Sequence, residues 1–319
     1  MNPNKPNEPN ELNKPNKPNE PNEPNEPNDS LNLAEQGGPG ALKFIGPEKK
    51  ACTVVLTFEF DAESVEWGYK KSISGADDIG AFSPRQGIRP ILALLDEYNI
   101  KSTFFVPGWD AQRHPGSVAA IAEAGHEIAA HGYQHEDFSA LSLRKERAVF
   151  EKAHQILTDA AGKAPVGFRS AAYGAPLSEH TLSIAASMGY QYDSSYLDDD
   201  VPYRIFPAGR RRSMVEIPWA WPLNDLVFMS PPVSCGLGFV LPPRPPAWVL
   251  QFWQTEFDAL LDMVGFFHLV LHPRDIGRGS RLVVLRELIT YIARHDVEFM
   301  TCARVAAWVA RKDRAGQTS

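Results

Sequence analysis

Cysteine is nearly missing from this chain: Cys52, Cys235 and Cys302 are the only three among 319 residues. They are odd in number, far apart and without a CxxC pair. Neither a disulfide framework nor a thiolate zinc site is indicated, and a reducing compartment is the simpler expectation. Long apolar runs are lacking as well. No stretch approaches the roughly 18 uninterrupted apolar residues of a membrane span, and no apolar signal segment opens the chain, so a soluble, cytoplasmic protein is expected. A dense Lys/Arg stripe is the third absence. With a formal charge of −7 and "GRRRS" (209–213) as the one basic cluster, neither nucleic acid nor a membrane surface is an expected partner.

What is present begins with a biased N-terminus. "MNPNKPNEPNELNKPNKPNEPNEPNEPNDS" repeats Lys/Glu-Pro-Asn with a period of three and offers almost nothing to a core. Residues 1–40 are therefore expected to be a disordered or polyproline-like extension, either dispensable or a tether. A folded domain is expected over 41–311, with a flexible tail at 312–319. The 43% hydrophobic content is ample for one large domain of that length.

Within it, short β-rich runs alternate with helical periodicity, which predicts an α/β fold of βα units around a largely parallel sheet. "CTVVLTFEF", "STFFV", "HEIAAH", "SMVEIP", "FFHLVLH" and "VEFMT" read as strands. "RQGIRPILALLDEY" reads as a helix with Ile88, Ile91, Leu92 and Leu95 on one face, and "PGSVAAIAEAG" as a helix from Pro to Gly125. Val149, Ala153, Ile156, Leu157 and Ala160 share another helical face that Gly162 ends, and Ser178 caps "EHTLSIAASMG". Helices are also expected around 280–294 and from about 303. The count suggests a barrel-like (β/α) domain of seven or eight units.

Polar residues where strands run into loops occupy the active-site end of such folds. Glu59 and Asp61 in "LTFEFDAE" are two apart and share a strand face. Paired carboxylates repel unless a positive group lies beside them; a divalent cation would serve, and a solvent-facing strand end is the alternative. "IAAHGYQHEDF" places His131 and His135 four residues apart, suited to two of three protein ligands of a catalytic zinc. The pair alone is weak evidence, since such spacing arises by chance.

"TFEFDAE", "STFFVPG", "GHEIAAHGYQHED", "GFRSAAYG" and "LHPRDIGRGSRL" together resemble, in order and spacing, the polysaccharide deacetylase (NodB-homology, carbohydrate esterase family 4) superfamily over about residues 50–311. The likeness is greatest to the branch of peptidoglycan deacetylases, cyclic imide hydrolases and allantoinases. It implies a distorted (β/α) barrel, with Asp61, His131 and His135 as ligands of one divalent metal, zinc foremost, with cobalt, nickel or manganese as alternatives. It makes Glu59 the catalytic base, where the family usually has aspartate, Arg169 the residue that orients the base, and His272 the proton donor to the leaving group. Leu271 falls at the apolar pocket, and Ala171 stands where the motif often has proline. Arg274 and Asp275 are expected to hold His272 in its working tautomer.

Of the aromatics, Trp109, Tyr173 and Trp219 are candidates to line a substrate pocket. The implied activity is hydrolysis of a non-peptide amide, with N-deacetylation of an acetylated amino sugar first. Opening of a small cyclic imide or amide is the alternative, and a catalytically inactive carbohydrate-binding protein the third reading. The expected partner is an oligosaccharide or small molecule, and the resemblance suggests a homo-oligomer, possibly a tetramer.

Overall fold

In the computed structural model, residues 43–65, 79–171, 177–209, 213–230 and 243–316 are described. The expected extension at 1–40, Tyr173, Cys235 and the end of the tail lie outside them.

The sheet is built around β1 (Cys52–Glu59), in which every residue is buried. Its near-continuous run of β-branched and aromatic residues is what a strand covered on both faces requires. β2 (Thr103–Val106), β3 (Glu127–Ala130), β4 (Gly167–Phe168) and β5 (Tyr192–Asp193) extend the sheet in parallel from one side of β1. β7 (Met214–Glu216) joins β5 in parallel, and the short β6 (Tyr203–Ile205) runs antiparallel at the edge. On the other side of β1 lies β8 (Phe266–Leu271), while β9 (Val297–Phe299) pairs with Cys52–Val54. The result is the expected α/β architecture, a curled, open barrel-like sheet wrapped by helices.

Strand alternation sorts the core into two layers. Cys52, Val54, Leu56, Phe58 and Phe60 point toward the helices, where Phe58 stacks on Phe104 at 4.8 Å. Val55 points the other way, into the barrel with Phe105, Ala129, Tyr192 and Val215. Glu59 and Asp61 have the parity of Val55 and so belong to the barrel interior.

The helices are α1 (Ile88–Glu97), α2 (Gly108–Arg113), α3 (Pro115–Glu123), α4 (Leu143–Ala161), α5 (Thr181–Ser187), α6 (Asp225–Met229), α7 (Pro246–Met263), α8 (Pro273–Ile276), α9 (Gly279–Ile292) and α10 (Cys302–Gly316). On α1 it is Leu94, with Ile88, Ile91 and Leu95, that is fully buried, and Leu92 flanks that stripe. Gly162 stops α4 in the left-handed region at φ +69°, as expected of a C-terminal glycine. The sequence reading passed over α2 and α7. α7 opens on Pro246, and a proline at the first helical position is tolerated because its missing N–H has no intrahelical partner. Val249, Trp253 and Phe257 then repeat every fourth residue and bury one stripe. No helix among the described residues is long and apolar enough to cross a membrane.

Candidate active site

Parallel strands end on the same side, and their first residues beyond the ladder meet there. Asp61 follows β1, His131 follows β3, Arg169 follows β4 and His272 follows β8. The ladder extends one bond past its strands: His131 N–H donates to the Val106 carbonyl at 3.2 Å and Arg169 N–H to the Ala130 carbonyl at 3.0 Å. Side chains at this rim are consequently fixed by sheet geometry rather than by a mobile loop.

The two histidines of the opening motif converge on Asp61. His131 Nε2 lies 3.9 Å from Asp61 Oδ1, and His135 Nε2 lies 3.7 Å from Asp61 Oδ2. His135 reaches back because the turn after β3 passes through left-handed backbone twice, at Gly132 (φ +69°) and at His135 itself (φ +61°). The turn is held by α2, whose Gly108 and Trp109 N–H groups donate to the carbonyls of Gly132 (3.0 Å) and Tyr133 (2.8 Å). His131 Nδ1–H donates to the Arg169 carbonyl at 3.0 Å, which orients the ring and aims Nε2 at Asp61. Both Asp61 oxygens and His131 Nε2 are buried and make no hydrogen bond among the described residues. The donor set of one carboxylate and two imidazoles suits zinc or a similar divalent ion.

Glu59 sits beside this cluster between two cations. Arg169 Nη1 donates to its Oε1 at 2.9 Å, and its Oε2 lies 3.0 Å from His272 Nε2 and 3.6 Å from His131 Nε2. Burial alone would raise the Glu59 carboxyl, but the imidazoles of His131 and His272 outweigh it and hold it well below the usual range. Asp61 behaves alike: burial opposes ionisation, yet His135 and His131 bring it down to about 2.

Arg169 is buried and fully engaged. Its Nε donates to the Ser194 carbonyl (2.9 Å) and its Nη2 to Ser194 Oγ (2.8 Å) and to His268 Nε2 (3.1 Å), while the guanidinium lies 4.1 Å over the Phe105 ring. His268 can accept because its Nδ1–H donates to the Pro218 carbonyl at 2.8 Å. Burial, reinforced by the Arg169 charge, pushes His268 down to about 3 and keeps it neutral.

The partner of His272 differs from expectation. Its Nδ1–H donates to Asp225 Oδ1 at 2.6 Å and its backbone N–H to Asp225 Oδ2 at 2.9 Å. Asp275 instead accepts from Ser230 Oγ (2.8 Å) and Arg281 (3.1 Å), with Arg274 Nε 3.5 Å away. Sequence adjacency misled here: residues 273–276 turn into α8, whereas Asp225 opens α6, next to the Asn224–Val270 bridge that lays it against the end of β8. Although burial lowers it, His272 is raised to about 10 by the charges of Asp225 and Glu59.

Leu271 needs a second correction. Strand alternation turns it opposite to His268 and His272, so it is fully buried in the helix-side core rather than lining a pocket. Trp219 is buried against Trp221 (5.0 Å) and 5.8 Å from the Arg169 guanidinium, and half-buried Trp109 lies on α2 under Arg113 at 4.6 Å.

With this geometry in view, the comparisons are consistent. The family model for polysaccharide deacetylases matches residues 68–192. A solved structure from Mycobacterium smegmatis that carries the polysaccharide deacetylase name is 35% identical, with a TM-score of 0.77, covering 86% of this chain and 95% of that one. This chain belongs to the polysaccharide deacetylase family. The peptidoglycan deacetylase of Helicobacter pylori is 28% identical over 79% of this chain and 95% of its own length. The solved structure of an allantoinase is 25% identical, with a TM-score of 0.68, over 82% of this chain and 91% of that one.

Against that family background, the sequence reading of this deacetylase-family chain missed Asp225, His268, Ser194 and Asp110. Asp110, on α2, accepts from the backbone N–H groups of Ala62 (3.0 Å) and Ser64 (3.1 Å) and from the Ser64 hydroxyl, clamping the loop just after Asp61. Ser83 Oγ completes the clamp on the Asp61 carbonyl at 2.8 Å. None of these carries a spacing signal, because each contact bridges elements far apart in sequence.

Proposed function

We propose that this protein is a metal-dependent amidohydrolase that removes the N-acetyl group from an amino sugar. The observation that carries this reading is the pairing, on one buried rim, of the Asp61–His131–His135 cluster with a base held by arginine and an acid held by aspartate. A divalent ion bound by Asp61, His131 and His135 supplies Lewis-acid activation of the amide carbonyl and of water. Glu59, kept ionised and anchored through Oε1 by Arg169, takes the proton of the attacking water on Oε2. His272, charged and fixed through Nδ1 by Asp225, gives its Nε2 proton to the departing nitrogen. Arg169 and His268 keep the base from rotating away, and burial excludes bulk water from the acid. The peptidoglycan deacetylase of Helicobacter pylori, matched over nearly its whole length, supports a sugar-amide substrate.

Opening of a cyclic amide is the second reading, favoured by the likeness to the allantoinase. The two separate by product. Acetate release from N-acetylated oligosaccharides, abolished by a chelator and restored by zinc or cobalt, supports deacetylation. Turnover confined to small cyclic ureides or imides overturns it in favour of the second.

A further inference from the structure

Two carboxyl groups that the catalytic scheme does not use lie side by side in the sheet next to the seat of Arg169. We propose that Glu216 is held as a neutral acid whose proton is shared with Asp193, and that this shared proton latches together the ends of β4, β5 and β7 that carry Arg169. The proton itself is inferred from geometry; only its bearing on turnover rests on the functional reading above.

Asp193 and Glu216 are directly paired across the parallel β5–β7 ladder, and alternation, with Tyr192 and Val215 in the barrel interior, turns both side chains to the opposite face. Both are fully buried. One oxygen of each is accounted for: Asp193 Oδ1 accepts from the Ser195 hydroxyl at 2.7 Å, and Glu216 Oε1 accepts from the Tyr196 N–H at 3.0 Å. Asp193 Oδ2 and Glu216 Oε2 receive no hydrogen bond from any other described group, yet the two carboxyls lie within hydrogen-bonding reach of each other. Arg169, the cation whose charge reaches Asp193, spends its own N–H groups on Thr57, Glu59, Ser194 and His268. The other titratable groups acting on the pair are Asp198, Tyr196 and Tyr203, which add no positive charge. Two buried carboxylates in this position repel each other, whereas one proton between them turns the repulsion into a hydrogen bond. Burial raises both groups above the usual carboxylate range.

The surrounding charges place the proton. Arg169 favours the anion at Asp193, whereas Asp198 disfavours it at Glu216, so Glu216 donates and Asp193 accepts. From Asp193 the chain of hydrogen bonds continues through the Ser195 hydroxyl, whose Oγ accepts the Ser170 N–H at 2.9 Å. It thus runs from β7 through β5 to the backbone beside Arg169, while the intervening Ser194 grips the guanidinium itself. Residues 193–195 therefore hold Arg169 twice, once by its side chain and once by the peptide that follows it. Loss of the shared proton leaves two carboxylates in contact at the residue before Ser194 and loosens the latch where the arginine is anchored.

Urea denaturation of the full chain across pH reads the proton, because a proton kept in the fold and released on unfolding makes the folding constant depend on pH. Glu216→Gln and Asp193→Asn each put an amide donor where the shared proton sits. An unfolded glutamate has released its proton by about pH 5.5, so above that value the wild-type fold holds one proton more than its unfolded chain and loses stability as pH rises, until the pair ionises. The expected result is a wild-type folding constant that falls, relative to Glu216→Gln, by about tenfold per pH unit between about pH 5.5 and 7, with Asp193→Asn behaving like Glu216→Gln. Groups common to all three proteins, His268 among them, cancel in the ratio. Parallel curves overturn the proposal. So does an infrared difference spectrum, wild type minus Glu216→Gln at neutral pH, that lacks the carbonyl band of a protonated carboxyl. Failure of both amide variants to fold counts against it equally, since a neutral isostere bearing a donor is what the fold is inferred to hold. For turnover, acetate release should decline in wild type, and not in Glu216→Gln, above the pH at which the two stability curves become parallel; identical alkaline profiles overturn the bearing on Arg169. A wild type that releases no acetate at any pH overturns the functional reading instead and leaves the proton linkage standing.

Discussion

Replacing Asp225 by asparagine isolates the acid half of the site. The two carboxylate oxygens serve two donors, His272 Nδ1–H at 2.6 Å and the His272 backbone N–H at 2.9 Å. An amide has one acceptor oxygen. If it takes the backbone donor, its NH2 faces Nδ1 and forces that nitrogen to accept, so the imidazolium is no longer supported. If it takes Nδ1–H, the NH2 opposes the backbone N–H. Either arrangement forfeits a charge-assisted hydrogen bond of about 1.5–3 kcal/mol and the negative charge that raises His272 toward about 10. With the proton donor compromised, kcat should fall by about 10²–10⁴, the usual share of general acid catalysis, while KM changes little. The alkaline limb of the rate profile should also move down, since a less supported His272 loses its proton at lower pH. Acetate release from an N-acetylated oligosaccharide across pH reads both. A kcat within threefold of wild type with an unmoved limb would refute the assignment. So would a loss of rate fully accounted for by lost metal affinity.

Three further perturbations probe the rest of the rim. Arg169→Met strands Glu59 Oε1, the Ser194 carbonyl and His268, and should cost about 3–5 kcal/mol in urea denaturation together with most of the activity; a loss below 1 kcal/mol would place the residue outside the core of the site. His268 stays unprotonated in the fold down to about 3, while the unfolded chain takes up its proton near 6.5, so stability is present above that value and falls with pH below it. Between pH 7.5 and 5 the loss from this group is about 2 kcal/mol, and His268→Gln should flatten that slope; an equal slope in both proteins would rule the origin out. Zinc at a hundredfold excess over its dissociation constant should stabilise the fold by about 2.7 kcal/mol and raise Tm by several degrees in wild type but not in His131→Ala. An equal rise in the variant would mean the ion binds elsewhere.

The sequence made the sheet legible because its strands are buried on both faces and read as unbroken apolar runs, β1 and β8 above all. The site was legible to the extent that function is written at strand ends. Glu59, Asp61, His131, Arg169 and His272 each fall at the C-terminal end of a parallel strand or just beyond it, and parallel strands bring those ends together. What could not be read are contacts made through the fold. Asp225 lies 47 residues before His272, and nothing in "PLNDLV" announces that its carboxylate will meet β8. His268 looked like one more residue of an apolar strand, yet it is the acceptor that completes the arginine. Leu271 was misplaced for the opposite reason: adjacency to His272 suggested a shared site, and alternation sends neighbours to opposite faces.

One distance ties the base, the acid and the cation cluster together. Glu59 Oε2 and His272 Nε2 are 3.0 Å apart, too close for a water and an amide nitrogen to lie between them. Base and acid therefore begin as a buried ion pair, and binding of substrate must part them. Parting leaves neither bare, because Arg169 keeps Glu59 Oε1 and Asp225 keeps His272 Nδ1. Each half of the pair thus has a permanent partner on the side away from the substrate and a replaceable one on the near side. Deletion of either permanent partner should consequently damage turnover more than binding, whereas shortening Glu59 to aspartate keeps the charge and weakens its contact with His272. A Glu59→Asp protein that keeps or gains acetate release while Arg169→Met and Asp225→Asn lose it is the pattern that this arrangement requires, and an inert wild type beside an active Glu59→Asp variant would mean that the ion pair is a lock rather than a resting state.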